Sequence, residues 1–455
     1  MALEPEKRNK NILIWSMIGG LGIIGVILVV ILGKDISRSL NYNKVSQAEE
    51  PVATAENTPI AESVKDTSED IEPNVDSHKS YTQEEMDQII HSFVNPGVKR
   101  YAYSTLTDAE QMVYQEIADG LLSYKESMNL SDYSISADDL YKIYLCVLDD
   151  YPEIFWDDWF SYYTSGDTVG GIVLTYQFSQ QQTADMIDSM LPVRDQILEE
   201  TKDLTEYARI MYIFDYLTDH VTYDEDNTSS HRTGNSHNIT DTHVANAHNI
   251  YGALIYHRAV CEGYAKAFQY LLNASGTECL LISGDVENGS HAWNYVYLDG
   301  NYYAVDITWC DPNHTKEEDD DNLPESYYTN NVRHNYCMVD TETISVDHTV
   351  DMPYDTPICN GGKYNYYRYN GYELTSFSPE NVSNIIYKSN ADQQVPMEIY
   401  CSDEDTYEQL LQNLDDHLWD WTASSQFLRP GRTYKKMHEV FKRDQRVLLL
   451  YPEYY

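Results

Sequence analysis

The chain has 455 residues, 42% of them hydrophobic and 23% charged, which is enough apolar material for a sizeable core and more than one folding unit. Lysine and arginine number 30 against 74 aspartates and glutamates, a formal net charge of -44. That balance excludes nucleic acid as a partner, because phosphate backbones need a basic surface, and it favours solubility and cationic substrates such as lysine-bearing peptides.

In chain order the first feature is an apolar run from Ile12 to Leu32, 21 residues in which Ser16 is the clearly polar member, with Lys7, Arg8 and Lys10 before it and Lys34 after. About 20 such residues cross a bilayer as a helix, whereas a cleaved signal peptide has a shorter apolar region followed by a small-residue cleavage motif. No such motif follows, so residues 1–34 read as a cytoplasmic tail and an uncleaved transmembrane helix. Lys34, Arg38 and Lys44 nearly balance the basic residues on the other side, and the short N-terminal tail favours a single-pass cell-membrane protein with its C-terminal domain outside. Residues 35–80 are polar, acidic and poor in aromatic runs, the composition of a disordered stalk.

Residues 81–204 alternate helix and strand signals. Thr82 with Glu85, Thr107 with Glu110, Ser136 with Asp139 and Ser179 with Gln182 each form a capping-box pattern ahead of a helical periodicity. Between them, 159–164 and 170–178 read as strands, giving an α+β module. A helix over 205–220 carries Tyr207, Ile210, Met211, Phe214 and Leu217 on one face and is expected to pack under the segment that follows. His231, His237, His243, His248 and His257 crowd the next stretch without a helical i, i+4 pair, which suits a mobile loop rather than a metal site.

The segment from Ala259 to Pro312 carries the chemistry. Apolar Ala265, Phe268, Leu271 and Leu272 have helical spacing ending near Ser275 and Gly276, so Cys261 falls in the first turn of a helix, where free N–H groups favour a thiolate. A strand over 279–286 precedes a second containing His291, and Asp299-Gly300 between two β-rich runs is a hairpin signal. A two-residue turn there pairs Leu298 with Asn301, sets Trp293 opposite Asp306 and His291 opposite Thr308, and so makes His291 and Asp306 diagonal neighbours on one face. A one-residue change of register would separate them. Thiol, imidazole and carboxylate are the parts of an activated cysteine nucleophile. Trp293 and Trp309 read as core or site-wall residues.

Ala-Val-Cys261-Glu-Gly-Tyr-Ala, then His291-Ala-Trp-Asn, then Tyr-Ala-Val-Asp306-Ile-Thr-Trp followed by Asp311-Pro312, resembles the core of the bacterial transglutaminase-like superfamily, whose fold is related to papain-type cysteine proteases. The resemblance covers roughly 205–312, with a looser match through 335–351. It implies Cys261 as nucleophile, His291 as general base and acid, and Asp306 as the orienting carboxylate, on an α+β core in which the nucleophile helix packs on an antiparallel sheet. An oxyanion hole is expected to use the Cys261 backbone N–H and a second donor that the sequence does not identify.

Five acidic residues at 317–321 lack an alternating oxygen-ligand loop and read as solvated. Residues 365–372 suggest a hairpin and 403–418 a helix within a C-terminal α+β extension, 351–455, after a catalytic core spanning 205–350. Arg429, Arg432, Lys435, Lys436, Lys442, Arg443 and Arg446 form a basic cluster. Seven cysteines show no CxxC pair, zinc spacing or disulfide framework. The expectation is therefore a membrane-anchored thiol enzyme acting on amide bonds of a protein or peptide, cell-wall peptide included, without cofactor or metal. Water as acceptor makes it a peptidase or amidase, an amine makes it a cross-linker, and the alternative from another class is a non-catalytic surface binding module.

Overall fold

The computed structural model describes residues 27–29, 79–95, 97–227, 246–287, 289–311, 331–392, 394–423 and 434–454. All four capping boxes form, and they start the helices Gln83–Phe93, Asp108–Leu122, Ala137–Asp150 and Gln180–Thr201. In each, the Ser or Thr oxygen takes the third backbone N–H while the acidic or amide side chain reaches back to the cap, so two otherwise unpaired donors are satisfied. The expected strands are Asp157–Ser165 and Thr168–Tyr176, paired antiparallel, with Ser127–Asn129 beyond the second. Of the apolar span 12–32, Ile27–Val29 is a short strand against Tyr162–Thr164, and the rest lies outside the described residues, as does the stalk up to residue 78. Among the described residues no helix is long and apolar enough to cross a membrane.

Helix Glu206–His220, started by Thr205, buries Tyr207, Ile210, Ile213, Phe214 and Leu217 and packs against helix Cys261–Ala274. That second helix lies on a four-stranded antiparallel sheet in the order Thr349–Val350, Cys279–Val286, Gly289–Leu298, Asn301–Val305. Gly263 is required in its first turn, because a Cβ there would come 2.5 Å from the Ala247 carbonyl oxygen and 2.8 Å from the Ala259 Cβ. A third sheet runs Glu373–Leu374, Met397–Cys401, Val447–Tyr454, Tyr434–Lys442 beside helices Pro379–Ala391 and Glu404–Ala423, the latter covering all but the first residue of the expected 403–418. One buried apolar cluster runs from Ile90 to Tyr451, so the segments on either side of the central sheet share its core.

Two expectations are corrected. The ladder from the Asp299-Gly300 turn holds from Leu298–Asn301 to Asn294–Val305, and then the chain turns into helix Ile307–Cys310. Thr308 therefore lies in a helix and does not pair with His291, and Asp306, one residue past the last pair, does not pair with Trp293. Residues 365–372 form no hairpin: Asn365 accepts from the N–H groups of Tyr367 and Arg368 and starts a short helix Tyr366–Asn370, which Gly371 closes at φ 75°. An Asn-Gly pair serves a helix end as readily as a hairpin, since both need a left-handed residue.

Candidate active site

Cys261 is the first residue of its helix, and Val260 before it offers no side-chain cap, so the N–H groups of that first turn are not consumed by one. It is half-buried against Ala265, Leu281 and Ala292, while the other six cysteines are buried, and all seven are free thiols. Burial pushes the thiols of Cys279, Cys310, Cys337 and Cys359 well up and that of Cys401 to about 12. These are buried, inert positions, and Cys261, only half-buried, is the accessible thiol.

His291 sits on strand Gly289–Leu298 opposite Gly284, 7% exposed. Asp306, fully buried, follows the last ladder pair and caps helix Ile307–Cys310: its Oδ1 accepts from the Trp309 backbone N–H at 3.1 Å. Its Oδ2 is 2.8 Å from His291 Nε2. Since Nε2 is committed to Asp306, Nδ1 is the ring nitrogen left for Cys261, which adds to the groups that raise His291. The structure thus brings together all three residues singled out in the sequence. Burial disfavours the imidazolium, but the Asp306 charge and hydrogen bond, reinforced by Cys261, push His291 up to about 10. Burial likewise disfavours the Asp306 carboxylate, and two imidazoles hold it well below the usual carboxylate range.

The second imidazole, His348, went unrecognised in the sequence. It is buried, its Nε2 lies 3.1 Å from Asp306 Oδ2, and its Nδ1 lies 2.6 Å from Asp347 Oδ1. Burial again works against the charged ring, and hydrogen bonds to Asp306 and Asp347 raise it. Asp347 in turn accepts from the Tyr336 hydroxyl. Asp306 is therefore held from two sides, by the Trp309 N–H and by His348, before it meets His291. The sequence signal was present within the looser match, where Asp347-His348 precedes edge strand Thr349–Val350, but nothing in the spacing links it to a residue 42 positions upstream. Trp293 lies 6.1 Å from the His291 ring at 22°, and Trp309 lies 5.5 Å from His291 and 4.6 Å from His348, so aromatic faces flank the imidazole pair.

Among the described residues the ligand atoms of His291, Asp306 and His348 lie within 4.8 Å of one another, close enough to hold a metal ion. An ion there would take the nitrogen that keeps His291 oriented toward Cys261. Of the expected histidine loop, His231, His237 and His243 lie outside the described residues, and so does the acidic run 317–321. His248 instead meets Glu262 Oε2 at 3.2 Å, beside Cys261. The basic cluster is in part self-neutralised: Lys435 pairs with Glu453. Arg429 and Arg432 lie outside the described residues.

Residues 195–307, which include Cys261, His291 and Asp306, match the family model of the transglutaminase-like superfamily. The chain carries a transglutaminase-like domain. Kyphoscoliosis peptidases of Mus musculus and Homo sapiens are each 34% identical to it over 61 residues. The matched stretch covers 11% of this chain and 9% of theirs, so this chain spans under a tenth of those relatives' length. A solved structure described as a TGase aligns at 16% identity over 36% of this chain and 46% of its own, with a TM-score of 0.23.

Proposed function

We propose that the transglutaminase-like domain is a cysteine-dependent acyl transferase or amide hydrolase acting on a protein or peptide, cell-wall peptide among the candidates, held at a membrane surface by the apolar span 12–32. The supporting observation is the buried His291 ring, hydrogen-bonded to Asp306 through Nε2 and raised by Asp306 and Cys261 together. In this reading the Cys261 sulfur adds to an amide carbonyl carbon, the C–N bond breaks, and His291 gives its proton to the departing amine. The resulting thioester is resolved by water or by a second amine, with His291 then accepting the proton of that nucleophile.

The test is a glutamine-peptide library incubated with the full chain, with and without a labelled primary amine, and read by mass. Label incorporation that is lost in Cys261→Ala identifies a cross-linker; shortened or deamidated peptides lost in the same variant identify a hydrolase. No Cys261-dependent product under either condition would leave a binding module as the reading.

A further inference from the structure

Two imidazoles share one oxygen of Asp306: Oδ2 lies 2.8 Å from His291 Nε2 and 3.1 Å from His348 Nε2. The other ring nitrogen of His348, Nδ1, lies 2.6 Å from Asp347 Oδ1. A neutral imidazole has one N–H and one lone pair, so between two carboxylate oxygens it would set lone pair against lone pair at one end. With a proton on both nitrogens, each contact becomes a hydrogen bond between opposite charges. The ring is fixed in that place. Its side chain is fully buried, the rings of Trp293, Trp309 and Tyr336 are centred 5.0, 4.6 and 5.3 Å from it, and its backbone N–H donates to the Ile344 carbonyl at 3.1 Å.

We propose that His348 is a positioning residue for the thiol chemistry, an imidazolium clamped between Asp347 and Asp306 that holds the Asp306 carboxylate against His291. It acts through Asp306: the Trp309 N–H fixes Oδ1, His348 fixes Oδ2, and the carboxylate then presents Oδ2 to His291 in one orientation. The titratable groups that face the ring are Asp306 beyond strand Asn301–Val305, His291 on strand Gly289–Leu298, Tyr336 and the neighbouring Asp347, with Cys261 reached through His291. Burial disfavours the charged ring, and the hydrogen bonds to the two carboxylates more than offset it, in agreement with the double protonation. A cation behind Asp306 also favours the thiolate, so its loss raises the pH at which Cys261 ionises.

The proposal rests on the Cys261–His291–Asp306 reading above, and two probes keep them apart. Alkylation of the full chain by iodoacetamide across about pH 4 to 10 reports where Cys261 ionises; acylation by p-nitrophenyl acetate reports acyl transfer. His348→Gln keeps an N–H for Asp306 and removes the charge, whereas His348→Leu removes both. Each is expected to move the alkylation midpoint upward by about one pH unit. His348→Leu is expected to acylate about 10–100-fold more slowly than His348→Gln, the effect of losing one hydrogen bond to a charged group. A residue that merely filled space would lower the amount of reactive protein without moving the midpoint. An unmoved midpoint, or equal acylation in the two variants, therefore overturns the assignment. Should neither fold, Asp347→Asn, whose side chain is 32% exposed, removes the acceptor that requires the second proton. A smaller upward step of the midpoint then supports the imidazolium, and an unmoved midpoint overturns it. An unsubstituted chain that is alkylated but never acylated at Cys261 sinks the acyl-transfer reading, while the midpoint still decides the role of His348.

Discussion

A buried imidazole without a partner sheds its proton, yet His291 is pushed up to about 10, because the Asp306 carboxylate touches its Nε2 and the carboxylate is itself locked by Trp309 and His348. The sign of the resulting pH dependence follows. The His291 contribution to folding is complete below the unfolded value of about 6.5 and is lost as pH rises through about 10, while that of Asp306 is present above about 3.9 and is lost on acidification. Replacing Asp306 by Asn keeps the shape and removes the charge, so burial wins and His291 becomes neutral. Asp306→Asn is expected to lower amide turnover on the order of 10³-fold or more at pH 8, and its melting temperature should fall less steeply than that of the unsubstituted chain between pH 7 and 10. Parallel melting profiles would show that Asp306 does not hold the His291 proton. Cys261, His291 and Asp306 were legible in the sequence because one helix start and one turn tie them together within 46 positions. His348 was not, because loop geometry brings it in and leaves no periodicity to read.

At the scale of elements, the hairpin places His291, and its turn sets the register. Asp299 and Gly300 have φ of 50° and 84°, the two positive values of a type I′ turn, and from there each pair down to Asn294–Val305 is fixed. The alternation that puts His291 on the Asp306 side follows from that count, so the contact between them could be read before the fold even though Asp306 lies one residue past the last pair. The count says nothing of where the second strand stops; that is decided by Asp306 itself, whose Oδ1 caps the next helix while its Oδ2 serves the histidines. Gly300 has open space around its Cβ position, so a substitution there tests backbone conformation alone. Gly300→Val is expected to cost about 1–3 kcal/mol in urea denaturation, with Cys261 alkylation at pH 7 and 20 °C unchanged wherever the protein is folded. Undiminished stability would mean that the turn has another low-energy form and does not set the register.

For the whole molecule, the charge of -44 restricts how it can hold to a membrane. Cytoplasmic leaflets are negatively charged, and a peripheral protein usually meets them through clustered lysine and arginine. Here part of the basic cluster at 429–446 is engaged internally: Lys435 pairs with Glu453, and Arg446 Nη2 lies 3.4 Å from the Tyr400 hydroxyl. Electrostatic adhesion of the body is therefore disfavoured, and attachment through the apolar span 12–32 is the alternative that its composition supports. The two modes respond oppositely to salt. Electrostatic attachment weakens with ionic strength, whereas a buried apolar helix is released only when the bilayer is dissolved. In membranes prepared from expressing cells, the full chain is expected to resist extraction by 1 M salt and by alkaline carbonate and to be released by detergent. A chain beginning at Asp35 is expected in the soluble fraction with Cys261 still selectively alkylated. Release of the full chain by salt alone would refute the anchor, and loss of selective alkylation in the shortened chain would show that the site depends on residues 1–34.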